Sequence, residues 1–234
     1  MTTAYANPYT TVADAAPSDR AAFIRSTYTH LGFAILAFIA VEWFLLQQSW
    51  TPALIEKMMG FGWLLVIGLF MAVSFVADRL ARSETSKSVQ YGGLGLFIVA
   101  EAFVFLPLLY FAAHKSGEGA LLFTKAGITT GAIFAALTAT AFITRKDFSF
   151  LRGILVFGGF IAIGLIVCSI LFGFTLGTIF AGAMALFAGV AILYSTSNII
   201  HHYRTDQSVS AALSLFSSVA LLFYYILQIF INRD

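Results

Sequence analysis

The residue best placed to do chemistry in this chain is a glutamate inside an apolar run. Glu101 lies in Ile98-Val99-Ala100-Glu101-Ala102-Phe103, and a carboxylate held in hydrocarbon costs ~2.5 kcal/mol or more unless it is protonated, paired or hydrated. Two readings follow: a protonated glutamate hydrogen-bonded to a neighbouring helix, or a site for a proton or cation on an ion pathway. Glu42, next to Trp43 near the far end of an earlier apolar run, is read as a carboxylate snorkelling to the interface, with a place on the ion pathway as the second reading. Lys125 is read as snorkelling in the same way.

Further along, Ser210, Ser214, Ser217, Tyr224 and Gln228 recur at helical spacing along one stripe. Such groups need partners in lipid, so the stripe faces inward, either as hydrogen-bonding glue between helices or as the lining of a water path. His201 and His202 are adjacent and therefore point in different directions on a helix. They lack the i, i+4 spacing of a metal pair and read as a solvated pair, with a pH-responsive role as the alternative.

Enzyme chemistry finds no support. Ser195 and His201 are close in sequence, but no Gly-x-Ser-x-Gly context surrounds the serine. The last apolar run has no lysine for a retinal Schiff base. A single cysteine, Cys168, excludes an internal disulfide and a thiolate cluster. No cofactor or bound metal is expected.

What must position these residues is set by composition. Of 234 residues 60% are hydrophobic and 10% charged, against about 25% charged in soluble domains. No water-soluble fold could hide that much apolar surface. The net charge of +2 is small and the basic residues flank apolar runs, so the partner is a lipid bilayer and not nucleic acid.

Spanning ~30 Å of hydrocarbon takes about twenty residues. Runs of that length lie near 27–47, 61–78, 91–113, 120–143, 153–173, 176–199 and 209–231. Gly153 to Ile200 contains no Asp, Glu, Lys, Arg or His, and as one helix it would reach ~72 Å, more than twice the membrane. It must turn, and Gly173 to Gly177 is the best place. The expected fold is an all-α membrane protein, a seven-transmembrane-helix bundle over 27–234. Residues 1–26 are expected to form a short disordered cytoplasmic tail, without the basic cluster and apolar core of a signal peptide.

The basic residues give orientation. Arg20, Arg25, Arg79, Arg82, Lys87, Arg145, Lys146, Arg152 and Arg204 fall on the amino-terminal side, against Lys57, Lys115, Lys125 and Arg233 on the other, nine against four. That asymmetry places the amino terminus in the cytoplasm, in a bacterial inner membrane, with the carboxyl terminus outside. Gly127, Gly131 and Ala135, like Ala181, Ala185 and Gly189, are small residues every four positions and predict close helix contacts. Trp43, Trp50 and Trp63 predict an interfacial belt.

Several stretches carry a resemblance. Arg145-Lys146-Asp147-Phe148-Ser149-Phe150-Leu151, Leu193-Tyr194-Ser195-Thr196-Ser197-Asn198-Ile199-Ile200, Ala212-Leu213-Ser214-Leu215-Phe216, and Gly93-Leu94-Gly95-Leu96-Phe97 through Leu106-Pro107 resemble the Bax inhibitor (transmembrane Bax inhibitor motif) family, from about Thr27 onward. The resemblance implies seven helices, the last six packed on a central one, and a slow leak of calcium or other cations linked to stress resistance. A second reading is a non-conducting protein that modulates a membrane partner such as a membrane protease. The resemblance also implies two aspartates, at the end of the sixth span and in the seventh, acting as a pH-sensing pair. Ser195 and Ser218 stand where those aspartates are expected, so the switch does not carry over, and acidic function would fall to Glu101 and Glu42.

Overall fold

Lipid offers backbone amides no hydrogen-bond partners, so a chain this apolar must satisfy them within helices. In the computed structural model, which describes residues 10–84, 86–114 and 119–233, it does so in α1 (Pro17–Leu46), α2 (Thr51–Met58), α3 (Phe61–Ala81), α4 (Lys87–His114), α5 (Gly119–Thr144), α6 (Leu151–Phe172), α7 (Gly177–His201) and α8 (Ser208–Arg233). Seven of these, all but α2, are long and apolar enough to cross a membrane. The expected spans are all present, and the charge-free stretch turns where expected. Gly173 closes α6 in the left-handed region at φ 71°, and α7 starts at Gly177, φ 66°, a conformation that costs glycine nothing.

The amino-terminal tail is the main correction. Residues 1–9 lie outside the described part, but α1 already begins at Pro17, not near Thr27. A proline at the helix start and Asp19 in its first turn favour that early beginning. Ahead of it, Val12 is buried and donates its N–H to the carbonyl of Tyr203 at 2.8 Å, while Thr11 bridges Arg204. Arg20 donates back to the carbonyls of Val12 and Ala13. The segment is a clasp on the α7–α8 connection.

A second correction concerns the centre. The helix that others surround is the last, α8, which contacts α1, α3, α4, α5 and α7, and not the first, as the resemblance implies. α4 is equally interior: half of its apolar window is buried, against 6% for α6. Aromatic rings fill the contact between them, with Phe105 over Tyr224 at 5.1 Å and Phe97 against Phe216 at 6.1 Å. α6 lies at the edge, against α7 and α3.

Of the two small-residue stripes only one makes a contact. Ala181 is fully buried, and a Cβ on Gly189 would meet Leu137 at 3.4 Å. By contrast Gly127, Gly131 and Ala135 are exposed, with nothing within 4 Å of a Cβ on either glycine. The tightest approach between two spans is in neither stripe: a Cβ on Gly93 would come within 2.6 Å of the Ala77 carbonyl, which fixes α4 against α3. Trp43 is 67% exposed and suits the interfacial belt, as does Trp50, whereas Trp63 lines an internal cavity. Lys115 and the side chain of Arg233 lie outside the described part.

Candidate functional site

The stretches at 145–151, 193–200 and 212–216 converge at one end of the bundle, the end where α3 and α7 finish and α6 and α8 begin. The Phe148 N–H donates to Oγ of Ser197 at 2.9 Å. Two residues before Ser197, Oγ of Ser195 lies 3.2 Å from Oγ of Ser214 and 3.2 Å from Oγ of Ser218. Ser218 spends its proton on the Ser214 carbonyl one turn back, at 3.0 Å, so its oxygen is left to accept from Ser195. Ser195 and Ser218, far apart in sequence, thus meet inside the protein, 3% and 7% exposed. Each such neutral bond is worth ~1 kcal/mol.

Around this hydroxyl cluster the same end is laced by charge. Nε of Arg82 holds both oxygens of Asp78 at 2.8 and 2.9 Å, and that hydrogen bond raises the Arg82 pKa. Arg204 bonds Asp206 and Glu84, each at 2.7 Å, and Lys87 reaches the Asp206 carbonyl at 2.8 Å. The bond from Arg204 lowers the Asp206 pKa. Asp147 is lowered first by the Ser149 N–H it accepts at 2.8 Å, and further by His202. Burial raises the phenol of Tyr203, with Arg82 and Ser214 acting against it. The two histidines separate as their adjacency requires: His201 turns back to the Ser197 carbonyl at 3.0 Å, while His202 reaches Asp147 at 3.2 Å.

The interior carboxyls tell a different story. Glu101 is 5% exposed, and its Oε2 has no partner among the described residues. It lines a cavity of about 280 Å³ between α3, α4, α6, α7 and α8, together with Trp63, Ser169, Tyr224 and Gln228. Oε1 of Gln228 is also buried without a partner. The seventh-span stripe therefore divides: Ser214 belongs to the serine cluster, and Tyr224 and Gln228 belong to the Glu101 cavity. Ser217 is half-buried and joins neither. Phe97 and Phe105, one turn to either side of Glu101, pack with Phe38 and Phe216, where α1, α4 and α8 meet.

Glu42 does not snorkel. It is 4% exposed and neither carboxyl oxygen has a partner among the described residues. The signal was its spacing: Leu31, Ala34, Phe38, Glu42 and Leu45 form the buried face of α1. Glu42 is not part of the wall of the Glu101 cavity. His30 was missed altogether. Its Nε2 pairs with the Tyr91 hydroxyl at 2.8 Å, and Ser26, one turn away, donates to Ser208 at 3.1 Å. A lone histidine in the first turns of a span was the available sign.

An all-helical bundle with a buried glutamate in a cavity and most of its basic residues gathered at one end defines a multi-pass integral membrane protein of compact size. The family model described as "Inhibitor of apoptosis-promoting Bax1" matches residues 20–234, and the chain belongs to this Bax inhibitor family. Protein LIFEGUARD 4 of Arabidopsis thaliana is 31% identical over 228 residues, 92% of this chain and 86% of that one. Bax inhibitor 1 of Schizosaccharomyces pombe is 30% identical over 231 residues, covering 94% and 80%. An uncharacterized protein of Pseudomonas aeruginosa is 36% identical over 114 residues, about half of each chain at 48% and 51%.

Proposed function

We propose that the protein passes cations such as calcium slowly down their gradient across a bacterial inner membrane, without covalent chemistry and in support of stress resistance. The observation that carries this reading is Glu101: a buried carboxyl with an unpartnered oxygen on the wall of a cavity shared with Tyr224 and Gln228. A carboxyl kept in hydrocarbon is protonated, paired or hydrated, and when it ionises a cation supplies the pairing charge.

The serine cluster takes the place of the aspartate pair that the resemblance implies, so conduction proceeds without that pair's pH switch. The neutrality of the hydroxyl cluster favours a second reading: a non-conducting protein that modulates a membrane partner such as a membrane protease. Calcium flux into dye-loaded liposomes holding the purified protein separates the two. The parent should conduct, and Glu101→Gln should abolish flux in a folded protein, since glutamine keeps the shape and loses the charge. Liposomes that stay silent with the parent protein would leave the partner reading standing, and flux unchanged by Glu101→Gln would make Glu101 a structural hydrogen-bonding residue.

A further inference from the structure

At the basic end, separate from the Glu101 cavity, lies a larger one of about 540 Å³. Arg82 at the end of α3, Arg152 in the first turn of α6 and His202 at the end of α7 line it, together with neutral groups of Tyr203, Asn198 and Ser214. No aspartate or glutamate lines it. The nearby carboxylates are held aside: Asp78 engages only Nε of Arg82, and Asp147 is turned to the Ser149 N–H and His202. The guanidinium of Arg152 has no ion-pair or hydrogen-bond partner among the described residues.

Three further facts point the same way. Ser214, which lines the cavity, joins Ser195 and Ser218, and these hydroxyls carry no negative charge to repel an anion. The start of α6 adds the positive end of a helix dipole beside Arg152. The volume is many times the ~30 Å³ of one water. Two guanidinium forks at the level where helices leave the apolar region match the planar, two-point recognition that phosphate oxygens prefer.

We infer that this cavity binds a phosphate group, carried by an anionic lipid headgroup or free in solution, with Arg82 and Arg152 as the charged donors and Ser214 and Asn198 completing the site. The inference does not depend on cation flux. The test uses the full chain in nanodiscs. One arm adds phosphatidic acid or phosphatidylglycerol to phosphatidylcholine discs and counts retained lipid by native mass spectrometry. The other titrates inorganic phosphate into phosphatidylcholine discs and follows the unfolding midpoint. Retention of lipid with phosphate inert assigns a headgroup; a raised midpoint with inorganic phosphate assigns the free ion. Arg152→Gln and Ser149→Asp both alter exposed side chains of the lining, which keeps folding intact. Each should weaken binding at least about tenfold, as loss of a charge-assisted bond or gain of a like charge requires. Binding unchanged in both variants, or no binding of either ligand by the parent, would overturn the inference.

Discussion

At the scale of single residues, the contact of Ser195 with Ser218 sets two neutral hydroxyls 3.2 Å apart inside the protein. Neither hydroxyl titrates between pH 6 and 8. Nor do the ionised carboxylates nearby: Asp147 and Asp206 have pKa values lowered by folding, so what they contribute to stability is fully present above the ordinary carboxylate range and is lost only as pH falls below it. Flux should therefore stay nearly flat from pH 6 to 8 apart from any contribution of His201, His202 or Glu101. Placing Asp at both serines brings two carboxyls together where the oxygens now stand 3.2 Å apart. Their mutual repulsion holds the second proton to a raised apparent pKa. The double variant, Ser195→Asp with Ser218→Asp, should then show pH-dependent flux that either single variant lacks. Steep pH dependence in a parent carrying His201→Ala and His202→Ala would defeat this account. The positions of these serines were readable from the sequence. Their third partner, Ser214, was read only as one point on a stripe, because a stripe gives a helix face and not the neighbouring helix that meets it.

At the scale of helices, the sequence yields where spans begin and end better than which faces touch. The turn at Gly173 to Gly177 follows from length alone, since no membrane accommodates the unbroken run. Small-residue spacing, in contrast, marks Gly127 and Gly131 as readily as Ala181 and Gly189, and only the latter pack. The difference is one of neighbours: α5 turns its glycines outward while α7 turns its small residues in. Gly93→Ala should push α4 from α3 and cost about 1–3 kcal/mol, as overpacking does, because its Cβ would press on backbone at Ala77 and Ala81. Gly127→Ala has open space and should gain about 0.5–1 kcal/mol from helix propensity. Unfolding midpoints in one detergent compare the two directly, and equal effects would remove the packing explanation. Glu42 carries the same lesson, since a carboxyl near an end of a span looks like a snorkel until the buried face of its helix is traced through it.

For the whole molecule, the seven spans and the collection of Arg82, Lys87, Arg152 and Arg204 at one end agree with the charge asymmetry of the sequence. With an odd number of spans, a reporter after Asp234 should sit outside the cell, and reporters after Lys87 and Arg204 inside. A cytoplasmic signal from the carboxyl-terminal fusion would contradict this orientation. What composition could not disclose is that the segment ahead of α1 belongs to the fold, since Asn, Pro and Asp in a short polar stretch read the same whether free or docked. Its docking site is made of Tyr203 and Arg204, which follow α7, while Val12 precedes α1. The clasp therefore closes only when α7 is in place: a chain cut before α7 lacks the Tyr203 carbonyl and leaves the Val12 N–H without its acceptor.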